Sequence, residues 1–146
     1  QAWALYGYTM MFRMTGDEKY LEHAENIADM LLSRLPVDGI PYWDFDAPNG
    51  NEYRDVSAGA IMASAFVELS GFATDEKARQ NYLSIAEKQL RTLASSHYLA
   101  EPGTNCNFIL KHSVGNLPEK SEVDVPLSYA DYYFLEALLR YKKAMG

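Results

Sequence analysis

The sequence predicts an all-α fold in which helical hairpins alternate between the inner and outer layers of an open ring. Three observations carry this. Segments apolar on every side alternate with segments bearing one apolar stripe, in the order inner, outer, inner, outer, inner. A helix apolar all round needs neighbours on every side, whereas a striped one can turn its polar half to water. The hairpin unit is also duplicated: Asp17-Glu18-Lys19 with Tyr20, Leu21, Ala24 and Glu25 recurs as Asp75-Glu76-Lys77 with Tyr82, Leu83, Ala86 and Glu87. The second copy is displaced by four extra residues, about one helical turn, so the same face stays inward. Finally, 146 residues with 48% hydrophobic content suit a single domain, residues 1–146, with a sizeable core.

The first inner segment runs from Ala2 to Met14, where Trp3, Leu5, Tyr6, Tyr8, Met10, Met11 and Phe12 leave no broad polar face. Gly16 is suited to the left-handed residue that ends a helix, and Asp17 to the cap of the next. The outer helix follows through Tyr20, Leu21, Ala24, Ile27, Ala28, Leu31, Leu32 and Leu35, with Glu22, Glu25, Asn26, Asp29 and Ser33 on its solvated face. Asp55 and Ser57 then offer N-cap chemistry to a second inner segment, Ser57 to Leu69, whose Ala58, Gly59, Ala60, Ala63 and Ala65 let neighbouring backbones approach closely. Gly71 and Thr74 are predicted to repeat the parts of Gly16 and Asp17. The second outer helix runs through Tyr82, Leu83, Ile85, Ala86, Leu90, Leu93 and Ala94, and the last inner helix from Tyr129 to Tyr141.

A net charge of −7 argues against nucleic acid as a partner. The single cysteine, Cys106, excludes an internal disulfide and an all-thiolate metal site. His23, His97 and His112 are scattered, and His23 falls on the polar side of an outer helix. No segment is long and charge-free enough to span a bilayer. The chain lacks an initiating Met and a signal peptide, so the authentic amino terminus is expected elsewhere and the compartment, cytoplasmic or periplasmic, is not legible.

Unusual residues gather at the inner helices' starts. The connection from Leu35 to Asp55 holds Gly39-Ile40-Pro41-Tyr42-Trp43-Asp44-Phe45-Asp46-Ala47-Pro48-Asn49-Gly50, long for a link between helices and mixing aromatic rings with carboxylates. Rings that stack on C–H faces, beside acids that bind hydroxyls, suit a sugar; the structural alternative is a loop whose Trp43 and Phe45 plug the end of the ring. The connection from Ser95 to Val125 carries His112, Gly115, Asn116, Glu122 and Asp124. Glu122 and Asp124 invite a general acid/base reading, against that of a solvated loop. Asp131 opens the last helix where a carboxylate favours the helix dipole. Asp55 is weighed as a catalytic acid and ranked below its capping role, while Tyr129, Tyr132 and Tyr133 are read as core or pocket lining.

Gln1-Ala2-Trp3, the Tyr42-Trp43-Asp44-Phe45 loop, Asp55-Val56-Ser57-Ala58 with Ala60-Ile61, and Glu122-Val123-Asp124 through Tyr129-Ala130-Asp131-Tyr132-Tyr133-Phe134-Leu135-Glu136-Ala137-Leu138 resemble the C-terminal portion of unsaturated glucuronyl hydrolases. The resemblance covers essentially the whole chain, and the last motif is the most specific. It implies an (α/α)6 barrel of six hairpins, of which this chain is an incomplete, C-terminal part. It also implies a glycosidase that removes a 4,5-unsaturated uronic acid from the non-reducing end of lyase-generated oligosaccharides. In that family an aspartic acid protonates the vinyl-ether double bond and helps water add across it; the hemiketal then rearranges and releases the partner sugar. The rule relating carboxylate spacing to stereochemistry therefore does not apply.

Neither metal nor organic cofactor is implied. The family's catalytic aspartates belong to motifs upstream of the Gln1-Ala2-Trp3 match, so no catalytic residue is expected in this chain, which is predicted to be inactive alone. The family's Arg-Gly-Gln-Ala-Trp motif also begins with an arginine, suited to the substrate carboxylate, that precedes Gln1. Trp3 matches the Trp of that motif and is the first substrate-binding candidate; Tyr42, Trp43 and Asp44 follow by loop position, then Tyr129. Five helices cannot close a six-hairpin ring, so the first and last inner helices should show apolar flanks that meet the missing N-terminal half of the barrel or drive self-association. The alternatives are an unsaturated rhamnogalacturonyl hydrolase, a helical-repeat binding module, which repeated hairpins favour and long connections oppose, and, ranked lower, another barrel enzyme such as an epimerase.

Overall fold

Small side chains decide what lies at the centre of the molecule. In a computed structural model that describes residues 1–46 and 53–146, the helices are α1 (Ala2–Thr15), α2 (Glu18–Arg34), α3 (Val56–Phe72), α4 (Glu76–Leu93) and α5 (Ser128–Met145). Helix α3 is buried along almost its whole length, from Val56 to Ser70. Its glycine and alanines allow α1, α4 and α5 to pack against it on different sides, while α2 lies chiefly against α1. At Gly59 a β-carbon would come within 3.1 Å of Ile40 Cδ1, so the missing side chain is what lets the loop after α2 lie on the helix.

The outer helices are striped as expected. In α2 the buried side is Leu21, Ala24, Ala28 and Leu31; in α4 it is Tyr82, Ala86, Gln89, Leu90 and Leu93. Gly16 adopts φ 70°, and its N–H donates to the Phe12 carbonyl; the Asp17 carboxylate accepts from Lys19 N at 3.1 Å. The second turn departs from the expected pattern. Helix α3 runs through Gly71 to Phe72, and Asp75 rather than Thr74 caps α4, accepting from Ala78 N at 2.8 Å. A carboxylate there also meets the positive end of the helix dipole, which a threonine hydroxyl does less well.

One element corrects the all-α expectation. β1 (Ser113–Asn116) and β2 (Ser121–Val125) form an antiparallel hairpin that pairs Val114 with Val123 and Asn116 with Ser121, with a bulge after Ser113. Val123 and Val125 alternate with Glu122 and Asp124, a two-residue period that the helical reading passed over.

The inner helices differ from one another in burial. Helix α1 buries only Ala2, Leu5 and Thr9 among its residues, and α5 only Ala130, Phe134 and Ala137. Their other flanks carry exposed Trp3, Tyr8 and Met14, and exposed Tyr132, Leu135, Leu138 and Leu139. Apolar flanks are what five helices of a six-hairpin ring should leave here; each of these helices packs on α3, and their backbones do not pack closely on each other. No helix among the described residues is long and apolar enough to cross a membrane. The amino-terminal ends of α1, α3 and α5 lie together, and the connections that hold the unusual residues gather at that end.

Candidate functional site

The site is assembled by helix starts and by loops folded back over them. Gln89, fully buried in α4, donates from Nε2 to the Gly39 carbonyl at 2.9 Å, and Thr92 Oγ1 donates to the Asp38 carbonyl at 2.8 Å. The two arms of the connection are then joined by Trp43 N to the Tyr53 carbonyl at 3.0 Å and Asp55 N to the Pro41 carbonyl at 2.9 Å. Tyr42, Trp43 and Asp44 are held in place by these bonds. Ala47, Pro48, Asn49 and Gly50 of the same motif lie outside the described residues.

A cleft of about 420 Å³ opens where these segments meet α1, α3 and α5. Trp3, Tyr42, Trp43, Asp44 and Tyr129, the five residues chosen from the sequence, all line it. Trp3, 54% exposed, stands on the first turn of α1, its ring centroid 6.0 Å from that of Tyr129 on the first turn of α5. The Tyr42 ring carries the Arg54 guanidinium 4.3 Å from its centroid, a cation–π contact that fixes the ring. The Asp44 carboxylate accepts from Asp46 N at 2.8 Å, and Asp44 lies in the cleft lining.

Arg34, which the sequence reading passed over, also lines the cleft. It pairs with Asp46, donates to the Phe45 carbonyl at 3.1 Å and lies over the Phe45 ring. In the sequence it is an ordinary basic residue in the last turn of α2, with no local mark of this role. Asp46, Asp44 and Asp55 leave the cleft with more carboxylates than cations.

Asp55 is the half-buried carboxylate at the start of α3. It caps α3, accepting from Ser57 N at 3.0 Å and from Ser57 Oγ at 2.7 Å, and it reaches Val114 N of β1 at 3.4 Å. Burial pushes its carboxyl above the usual carboxylate range, and the hydrogen bonds from Ser57 and Val114 pull partly the other way. A carboxyl that binds its proton more tightly folded than unfolded favours folding below its unfolded pKa, and that contribution is lost as pH rises through the folded pKa. Asp55→Asn keeps an acceptor at the cap and removes the titration. The variant's unfolding free energy is therefore expected to fall less than the wild type's as pH rises from about 4. Parallel urea-unfolding profiles against pH would contradict this.

Glu122 and Asp124 have different neighbours. Glu122 lies over Gly115, where a β-carbon would overlap its carboxylate, while Asp124 approaches His112 Nδ1 at 2.6 Å, and His112 stacks on His97 at 5.5 Å between centroids. The arrangement assigns them separate partners rather than a shared proton-transfer site. Asp131 does more than favour a helix dipole: its two carboxylate oxygens accept from Ile109 N at 2.8 Å and Leu110 N at 2.9 Å, which ties the long connection to α5. Among the described residues no group of three or more His, Cys, Asp or Glu is placed to hold a metal ion.

No family model matches the chain. It is 47% identical over 143 residues to an unsaturated glucuronyl hydrolase of Formosa agariphila, a match covering 96% of this chain and 35% of that protein. Among solved structures, an unsaturated glucuronyl hydrolase specific for heparin superposes with a TM-score of 0.93 and 52% identity, over 97% of this chain and 38% of the other. A variant of the Streptococcus agalactiae unsaturated glucuronyl hydrolase, complexed with dGlcA-GalNAc6S, superposes with a TM-score of 0.87 and 27% identity over 96% of this chain and 37% of the other. The chain thus spans little more than a third of the length of the proteins it matches.

Proposed function

We propose that this chain, homologous across nearly all its residues to part of the unsaturated glucuronyl hydrolases, forms part of a glycoside hydrolase acting on unsaturated uronic acids. The reaction is hydration of the 4,5 double bond of a non-reducing-end unsaturated uronic acid, which releases that sugar from a lyase-generated oligosaccharide. Its support is the homology, together with one cleft lined by every aromatic and acidic residue that the sequence marked for sugar binding.

In this reading the five helices are the C-terminal part of a six-hairpin toroid, and residues 1–146 belong to that one domain. The exposed flanks of α1 and α5 are covered by the remaining hairpins. The cleft is one side of the ring's mouth. Trp3, Tyr42, Trp43 and Tyr129 give the sugar rings apolar faces, and Asp44 accepts from hydroxyls. The proton donor comes from the rest of the ring, where the resemblance places the family's catalytic aspartates, while Asp55 Oδ1 serves the helix cap and β1.

The test follows the ultraviolet absorbance of the unsaturated uronate during incubation of a lyase-generated disaccharide with the complete gene product and, separately, with this chain. Loss of absorbance with the complete product alone is the expected result. No loss with either, for glucuronyl and rhamnogalacturonyl substrates alike, would overturn the hydrolase reading in favour of a helical-repeat binding module. Within the hydrolase, Trp3→Ala is expected to raise KM about tenfold, the loss of one good stacking partner. An unchanged KM would remove Trp3 from the binding surface.

A further inference from the structure

Two contacting aromatic rings of the cleft lining stand on helices that do not pack closely against each other. Trp3 belongs to α1 and Tyr129 to α5, and each helix packs on α3 instead. Side chains make the link between them. Trp3 meets Tyr133 edge-on at 5.2 Å, and Tyr133 meets Tyr6 edge-on at 5.0 Å. The Tyr6 hydroxyl donates to Glu136 Oε1 at 3.1 Å, and the other Glu136 oxygen takes the hydroxyl of Ser64 on α3. Arg140 closes the group: Nη1 donates to Glu68 Oε2 at 2.8 Å and to the Ser64 carbonyl at 3.2 Å, and Nη2 approaches the Tyr6 hydroxyl at 3.4 Å. Glu68 is in turn paired with Arg13 of α1 at 2.6 Å.

These contacts form one continuous polar group spanning α1, α3 and α5 directly beneath the aromatic wall. Two arginines face two glutamates, so the charges balance within it. Burial and the Glu136 carboxylate push the Tyr6 phenol up to about 12, against the pull of Arg140, so it stays a proton donor at neutral pH.

We propose that Tyr6 and Glu136 are positioning residues: their hydrogen bond fixes α1 against α5 and so sets how the contacting Trp3 and Tyr129 rings are placed in the cleft lining. This rests on the hydrolase reading only in taking a sugar as the cleft's occupant. Stacking depends on how the rings are placed, so a shift of either ring weakens sugar binding.

The experiment uses the complete gene product and its Tyr6→Phe, Glu136→Ala, Glu136→Gln and Trp3→Ala variants. Tyr6→Phe and Glu136→Ala are expected to raise KM about tenfold with kcat nearly unchanged, because stacking serves ground and transition states alike. Glu136→Gln, which keeps an oxygen for the Tyr6 hydroxyl, should restore most of the affinity. The Tyr6→Phe/Trp3→Ala double variant should be no worse than Trp3→Ala alone, since one change acts through the other. Additive KM effects, or no effect of Tyr6→Phe, would overturn the proposal. Crystal structures of the wild type and Tyr6→Phe decide it independently of activity. A wider Trp3–Tyr129 separation than 6.0 Å in the variant is expected, and an unchanged one refutes the clamp. A wild type that leaves unsaturated disaccharides intact refutes the hydrolase reading alone, and the crystallographic comparison still decides the clamp.

Discussion

Phe66→Ala is expected to destabilise the folded chain by about 4 kcal/mol, the cost of removing a large aromatic side chain and leaving a cavity. Phe66 lies fully buried in α3 and stacks on Tyr82 of α4 at 6.0 Å. Phe66 shares its core cluster with the buried Ile61, Met62 and Leu69 of α3 and Tyr82 of α4, and such close-packed neighbours close only partly on the space it leaves. Phe66→Leu should lose about 1.5 kcal/mol, because most of the volume is kept. Urea unfolding at constant slope measures both; equal losses for the two variants would show that the site collapses around the vacancy.

Asp131→Ala should be nearly as damaging, at about 3 kcal/mol, since it strips a charged acceptor from two backbone N–H groups, those of Ile109 and Leu110. Asp131→Asn keeps one oxygen and should fall between the wild type and the alanine variant. Leu110 is fully buried and Ile109 half-buried, so released N–H groups there do not reach water freely. A stability loss under 1 kcal/mol for Asp131→Ala would mean that the connection finds other acceptors.

The helices were legible because each declares itself locally. The stripe of α2, the repeat of its opening in α4 and the small residues of α3 lie within short windows, and the periodicity follows from them alone. The cleft aromatics were legible for a related reason: Tyr42, Trp43 and Asp44 sit together in a connection whose packing does not call for them. Other features depend on separations that no window spans. Asp131 reaches back about twenty residues to Ile109, and Arg140 reaches seventy-two to Glu68. On its own helix Arg140 is an ordinary basic residue, and Asp131 shows only a carboxylate that favours the helix dipole. Arg34 was missed because its partner, Asp46, comes near only when the loop folds back. The β1–β2 hairpin was hidden by its brevity, with only three valines across its two strands to set the alternation.

The common start of α1, α3 and α5 at the cleft also gives that space an electrical character that no side chain states. The N-terminal end of a helix carries about half an elementary positive charge from its aligned peptide units. Three such ends around one opening form a positive field built from backbone, set against the carboxylates of Asp44, Asp46 and Asp55. This field has no pKa. An acid that loses or gains a proton leaves it unchanged, so an anion entering the cleft meets the same backbone attraction across the whole pH range in which the fold survives.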